Sequence, residues 1–318
     1  MILIECAVFI VTIILALVDS SSWPGPFFYM TMISVVIMNM ANGVYQSAVY
    51  GVVAKLPMSY SNAVVLGSNI SGTLTTLINI ASKAMAPDPR TAAVYYFVGT
   101  LAVLVACLIT FLTLPLNRFY RHFEKSGEES DDVPVLLPKR QYGLVFKQIW
   151  PQCLNVFTVF FVTLSIFPAV HANISSMGQL DGILGSYFTL ITCFLVFNGF
   201  AMIGNLIPGI ICWPGPDKLW IPVFARFLFI PFFLMCNYRA ETRSWSVWVT
   251  NDYVFVIGGS LMGVSSGYYS SLAMMYAPRE VDQEHAATAA MMASFFLMLG
   301  IFSGINSSFL LSALVTHS

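Results

Sequence analysis

Charge is what this sequence has least of. Of its 318 residues, 9% are Asp, Glu, Lys or Arg, against roughly 25% in a soluble domain. With 58% hydrophobic residues there is too little polar surface to cover a water-soluble fold, so the expected solvent is lipid. A net charge of −1 provides no long-range field to gather nucleic acid, and no nucleic-acid partner is expected. Carboxylates are missing from the middle of every apolar run. Glu5, near the start of the first run, is expected at an interface. Proton coupling and organic-cation binding usually rely on an intramembrane acid, so this lack argues against both.

Catalytic signatures are missing too. There is no phosphate-cradling Gly-rich loop with Lys, no His/Glu metal pattern, and no nucleophile with an evident base. The expectation is a protein that is not an enzyme and needs no cofactor or metal. Cys6, Cys107, Cys153, Cys193, Cys212 and Cys236 lie in or at the ends of apolar runs without CxxC spacing. They read as small buried hydrophobes rather than a disulfide framework. His122, His171, His285 and His317 fall in loops or at an end, and none signals a proton relay.

What is present is a series of long apolar stretches. A span needs about 20 mainly apolar residues, and nine runs approach this: roughly 2–18, 28–52, 61–82, 94–116, 149–170, 183–211, 220–237, 252–275 and 287–314. Lipid offers the backbone no hydrogen-bond partners, so each run should be helical. The fold class is therefore all-α, a polytopic membrane protein of about nine transmembrane helices. One segment, 118–147, is polar and Pro-interrupted, with an acidic run from Glu128 to Asp132. It divides the chain into an N-terminal bundle, 1–117, a loop, 118–147, and a C-terminal bundle, 148–318.

Basic loop residues mark the cytoplasmic side. With the polar loop inside, Lys55, Arg118, Arg121, Lys125, Lys139, Arg140, Lys147, Lys218 and Arg279 are inside. Lys83, Arg90, Arg239 and Arg243 are outside, and Arg226, within a run, completes the fourteen. This asymmetry sets the orientation. It places the sequon Asn173-Ile174-Ser175 outside, where Asn173 is a candidate glycosylation site.

Polar residues recur on helical faces. Asn39, Asn42 and Gln46 share one face of the second run. Asn62, Asn69, Thr73 and Thr76 share one on the third, and Phe194, Asn198, Ala201 and Asn205 one on the sixth. Two readings stay open: a solute path, or interhelical hydrogen bonds worth about 0.6 kcal/mol each. Arg226 is deep in a span and needs carbonyls, an anion or a substrate as partner. Gly259, Gly263, Gly267 and Ser271, like Gly300 and Gly304, repeat every four residues and read as close-packing faces.

The stretch Phe197 to Asn205, FNGFAMIGN, resembles the eighth-helix signature of equilibrative nucleoside transporters: FN, two residues, Asp, two residues, Gly, Arg. Phe197, Asn198 and Gly204 match, while Ala201 stands for the Asp and Asn205 for the Arg. Further similar motifs follow in family order: Asn39, Gln46 and Gly51 before Leu56-Pro57; Gly67 and Gly72; Phe167-Pro168-Ala169-Val170; Trp213-Pro214-Gly215; Arg226 to Asn237; and Gly267-Tyr268 to Val281. Ser68 aligns with a polar position that is commonly Gln.

The resemblance implies a two-bundle fold like that of the major facilitator superfamily, with Met1 falling at the family's third helix. It implies gradient-driven, alternating-access transport of nucleosides or nucleobases in a multi-pass membrane protein, most simply of the plasma membrane, with an internal membrane as the second option. The alternatives are a non-transporting relative and a carrier of another small polar solute. It makes Asn39, Gln46, Ser68, Asn69, Phe194, Asn198, Ala201, Asn205 and Arg226 the candidate substrate-binding residues. Because the Asp and Arg that grip the sugar are replaced together, nucleobases gain weight relative to nucleosides.

Overall fold

The computed structural model describes residues 1–18, 23–54, 59–118, 120–121 and 139–316. Most of the polar loop, with Lys125 and the acidic run, and the Leu56-Pro57 motif lie outside the described residues. The elements are α1 (Ile2–Leu17), α2 (Pro24–Ala54), α3 (Ser59–Met85), α4 (Pro89–Thr113), α5 (Lys139–Ile166), α6 (Val196–Leu206), α7 (Trp220–Ala225), α8 (Phe229–Met235), α9 (Asp252–Tyr276) and α10 (Ala286–Thr316). Among the described residues there is no strand, and a single antiparallel bridge joins Ile174 to Tyr238.

Among the described residues, seven helical stretches are long and apolar enough to cross a membrane, against nine apolar runs in the sequence. Two of the nine runs fall short for different reasons. The apolar helix α1 has 16 residues. The other, α9, is long enough at 25 residues but is diluted by Gly and Ser. The end of the polar segment also differs from expectation, because α5 already begins at Lys139. The sixth of these spans, Pro216–Met235, is broken: α7 and α8 are separated by a 3-10 turn, Arg226–Leu228, with Pro222 and Pro231 nearby to interrupt the backbone ladder.

The chain divides into two compact units. The first comprises 1–56 and 77–136, so that it takes the C-terminal part of α3. Within it, α1 packs on α2 and α4. Asp88 caps α4, its carboxylate accepting from the Thr91 amide at 3.0 Å and the Thr91 hydroxyl at 2.7 Å, with Pro89 in the first turn where no amide is needed. Glu5 is buried, not interfacial. It and Ile2 are the buried residues of α1, because this first turn is the part of the helix that meets its neighbours.

The second unit comprises 57–76 and 137–318. Its closest pairs are α5 with α10 and α6 with α9, and both rest on glycine. A Cβ at Gly300 would lie 2.6 Å from the Phe157 carbonyl, and one at Gly304 2.6 Å from that of Phe161. Across the other pair, a Cβ on Gly204 would come within 2.2 Å of the Val264 carbonyl, and one on Gly267 within 2.0 Å of the Ala201 carbonyl. Only a missing side chain permits such backbone approach, so these glycine faces are packing surfaces.

At the far end of α5 a loop is pinned to α9. The Asp252 carboxylate accepts from the Ser176 hydroxyl at 2.7 Å and from the amides of Met177, Gln179 and Leu180 at 2.8, 3.1 and 3.2 Å. In return Gln179 Oε1 accepts from the Asp252 amide at 2.8 Å.

Candidate functional site

The face expected from the sequence on the sixth run is formed in an unusual way. Residues Leu190–Leu195 are π-helical and lead directly into α6. Such widened turns concentrate at functional positions. Phe194 lies in the widened stretch and Asn198 in the regular helix that follows. Asn198 Nδ2 donates to the Phe194 carbonyl at 2.9 Å, which leaves its Oδ1 turned to α3. There Gly72 comes so close that a Cβ would lie 2.4 Å from that oxygen. Just past the end of α5, Phe167 stacks on Phe197 at 4.1 Å and meets Phe194 edge-on at 5.6 Å.

Ala201 and Asn205 are placed differently. Ala201 is 1% exposed and Asn205 fully buried. Both stand at the glycine-lined seam with α9. Asn205 ties three helices together: its Oδ1 accepts from the Ser271 hydroxyl at 2.8 Å, and its Nδ2 donates to the Val65 carbonyl of α3 at 3.4 Å.

Arg226 is 2% exposed and is held by protein groups alone. Its Nε donates to Ser265 Oγ at 3.1 Å and Nη1 to the Val159 carbonyl at 2.9 Å. Nη2 donates to Thr163 Oγ1 at 2.8 Å and to the Met262 carbonyl at 3.4 Å. Thr163 also shares a hydrogen bond with Ser266 at 3.1 Å. No carboxylate answers this charge in these contacts; carbonyl and hydroxyl dipoles from α5 and α9 spread it instead. Carbonyls, one of the partner types expected for Arg226, are among its contacts. Its hydroxyl partners Thr163 and Ser265, and Ser266 behind Thr163, were not singled out from sequence. Isolated hydroxyls in apolar helices carry little signal, and the two serines lie within a stretch already explained by packing.

Ser68 is exposed and its hydroxyl donates back to the Val64 carbonyl at 3.2 Å. Asn69 is half-buried one residue on. The structure thus gathers Ser68, Asn69, Phe194, Asn198, Ala201, Asn205 and Arg226 in the second unit. Asn39, whose amide donates to the Val35 carbonyl at 2.8 Å, and half-buried Gln46 belong to the first. His171 lies in the 3-10 turn that follows α5 and is 1% exposed.

The sequence matches the nucleoside transporter family profile over residues 32–141 and 138–313. The chain belongs to the nucleoside transporter family. It is 32% identical to equilibrative nucleoside transporter 1 of Rattus norvegicus across 97% of this chain and 74% of that protein. It is 30% identical to equilibrative nucleoside transporter 2 of Homo sapiens across 96% of this chain and 76% of that protein. Equilibrative nucleotide transporter 8 of Arabidopsis thaliana is 28% identical across 87% of this chain. Among the described residues no group of His, Cys, Asp and Glu is placed to hold a metal ion. As a nucleoside transporter family member the chain is an integral, multi-pass membrane protein, and its α6 seam is where it departs from the signature noted above.

Proposed function

We propose that this chain is a facilitative carrier of nucleosides or nucleobases that works by alternating access, with flux following the gradient. The observation that carries this reading is the similarity to equilibrative nucleoside transporters over nearly the whole chain. The second unit supplies a fitting surface: Asn198 on α6 and Phe194 in the π-helical stretch before it, with Ser68 and Asn69 on α3 and the Phe167 ring. An aromatic base suits such rings, and amides read its edge.

The seam argues for weak sugar recognition. An Asp–Arg pair offers charge-assisted, bidentate bonds; Ala201 offers none, and both ends of the Asn205 amide are engaged by Ser271 and Val65. We assign Asn205 and Arg226 to holding helices together and leave base contact in the second unit to Asn198 and Phe194. Asn173 is exposed, and we propose it as a glycosylation site on the outer face of the plasma membrane. Digestion with peptide N-glycosidase should shift the mass of the wild-type chain and not of Asn173→Gln.

The test is uptake of labelled uridine and adenine into liposomes holding the purified chain, beside the double variant Ala201→Asp/Asn205→Arg. Adenine uptake exceeding uridine uptake in the unmodified chain, with uridine recovered in the variant, is the expected result. Absence of uptake by both sinks the carrier reading.

A further inference from the structure

His171 has no role in the site just described, yet its surroundings are unusual. Its ring centroid lies 4.9 Å from those of Phe233 on α8 and Phe255 on α9, and 6.4 Å from that of Phe167. Gly259 on α9 leaves room for it: a Cβ there would stand 3.1 Å from Cε1 and 3.2 Å from Nε2. Neither ring nitrogen has a protein hydrogen-bond partner. A residue chosen for packing alone would be apolar here, as its neighbours are, since each buried polar atom left without a partner is destabilising.

We propose that His171 is a gating residue, which closes the aromatic chamber as a neutral ring and meets water in another conformation of the transport cycle. This rests on the alternating-access reading. Phe167 is the link to the site, because the same ring touches His171 on one side and Phe194 and Phe197 on the other.

The groups around the ring from each packed element favour the neutral form. From the turn after α5 come Phe167 and Val170. The π-helical stretch brings Thr192, whose hydroxyl is spent on the Phe188 carbonyl at 2.8 Å, and the buried thiol of Cys193. Phe233 comes from α8, and the Cys236 thiol at its end donates to the Phe232 carbonyl. Arg243, beyond α8, gives its guanidinium to the Leu234 and Cys236 carbonyls. On α9 stand Phe255 and Gly259, and the carboxylate of Asp252, one turn earlier, is taken by residues 176–180. An imidazolium in this chamber has no counter-ion, and ring faces return only part of its lost hydration.

The sign follows from linkage. Only the water-exposed conformation accepts the proton, so acid favours exposure. With a hydrated imidazole titrating near its reference value of about 6.5, the ratio of exposed to closed forms rises about tenfold between pH 7.5 and pH 5.5.

Amide hydrogen exchange of the 165–180 and 250–260 segments reads this ratio in the purified full chain. It is measured at both pH values, corrected for intrinsic exchange, beside His171→Phe and His171→Gln. The expected result is a rise of about tenfold in the unmodified chain and none in either variant. Phe tests whether the chamber accepts a plain ring; if it does not fold, Gln carries the comparison. No rise in the unmodified chain overturns the proposal, since a ring fixed by a trapped water would behave so. An equal rise in the variants also overturns it and assigns the proton to another group. Uptake at both pH values is read separately. A pH-dependent opening without any uptake sustains the gate and sinks the carrier; uptake with unchanged exchange does the reverse.

Discussion

The two units of this chain are built by different rules. In the second, over half of the span Tyr142–Asn173 and about two fifths of Ala286–Thr316 are buried against protein; in the first, no part of Pro89–Leu116 is buried and little of Pro24–Gln46. Lipid tails are as apolar as leucine, so apolar side chains alone give helices no reason to associate. The second unit has what association in lipid requires: glycine seams that bring backbones together, and hydrogen bonds across them from Arg226, Asn205 and Thr163. The first has apolar circumference and few such ties. A shared apolar character thus yields a closely bound body in one place and loosely joined helices in another.

Substitution at the seams should expose this difference most strongly. Gly267→Val pushes a side chain into the Ala201 carbonyl, which belongs to backbone and cannot turn aside. It should cost at least about 3 kcal/mol. At Gly43 in the first unit a Cβ meets no atom of the described residues within 4 Å. Gly43→Ala should be neutral or stabilising by up to about 1 kcal/mol through helix propensity. Thermal stability of both variants in detergent, followed by gel filtration, checks the contrast; equal losses would break it.

Charge at the α6 seam comes next. Ala201→Asp alone places an uncompensated carboxylate at a fully enclosed position and should cost about 3 kcal/mol; adding Asn205→Arg should return most of it. A double-mutant cycle on melting temperature reads the coupling, and additive losses would show that the seam cannot accommodate the pair.

Arg226→Met should lose about 2 kcal/mol, four contacts at about 0.6 kcal/mol each, with the base preference of uptake unchanged among molecules that fold. A changed preference would move Arg226 into the substrate site. Asp252→Asn, which removes the charge and turns one of the two acceptor oxygens into a donor facing an amide, should cost about 2 kcal/mol and speed exchange across 176–180. The exposed cap Asp88 of the first unit should matter less when replaced by Asn.

The smallest effect is a pH slope. Burial raises the Glu280 carboxyl above its ordinary value, partly offset by Gln152 Nε2, which donates to it at 2.9 Å. A raised acid in the folded state means stability increases as pH falls from neutrality through that raised value. Glu280→Gln should flatten the slope without lowering the plateau at neutral pH; an unchanged slope would assign it elsewhere.

Much of this was legible in the residues. Lack of charge announced lipid, the apolar runs located the helices, and Gly263, Gly267, Gly300 and Gly304 announced close packing by their spacing. The FNGFAMIGN stretch marked the helix that carries the candidate site and the two positions where it departs from the family signature. Other features were not legible. Spacing on an ideal helix treats Phe194 and Asn205 as one face, but the π-helical turn and the α9 seam give them different neighbours. Thr163, Ser265 and Ser266 looked like inert hydroxyls until Arg226 gave them a purpose.

The sequence by itself determined the solvent, the helical class and the family, because those depend on hydropathy and local order along one chain. Only the tertiary structure decided what each polar group is for. Asn205 and Arg226 satisfy neighbouring helices, and His171 is sealed among phenyl rings, because in lipid a polar side chain must find its partner on another helix, and which helix that is cannot be read along the chain.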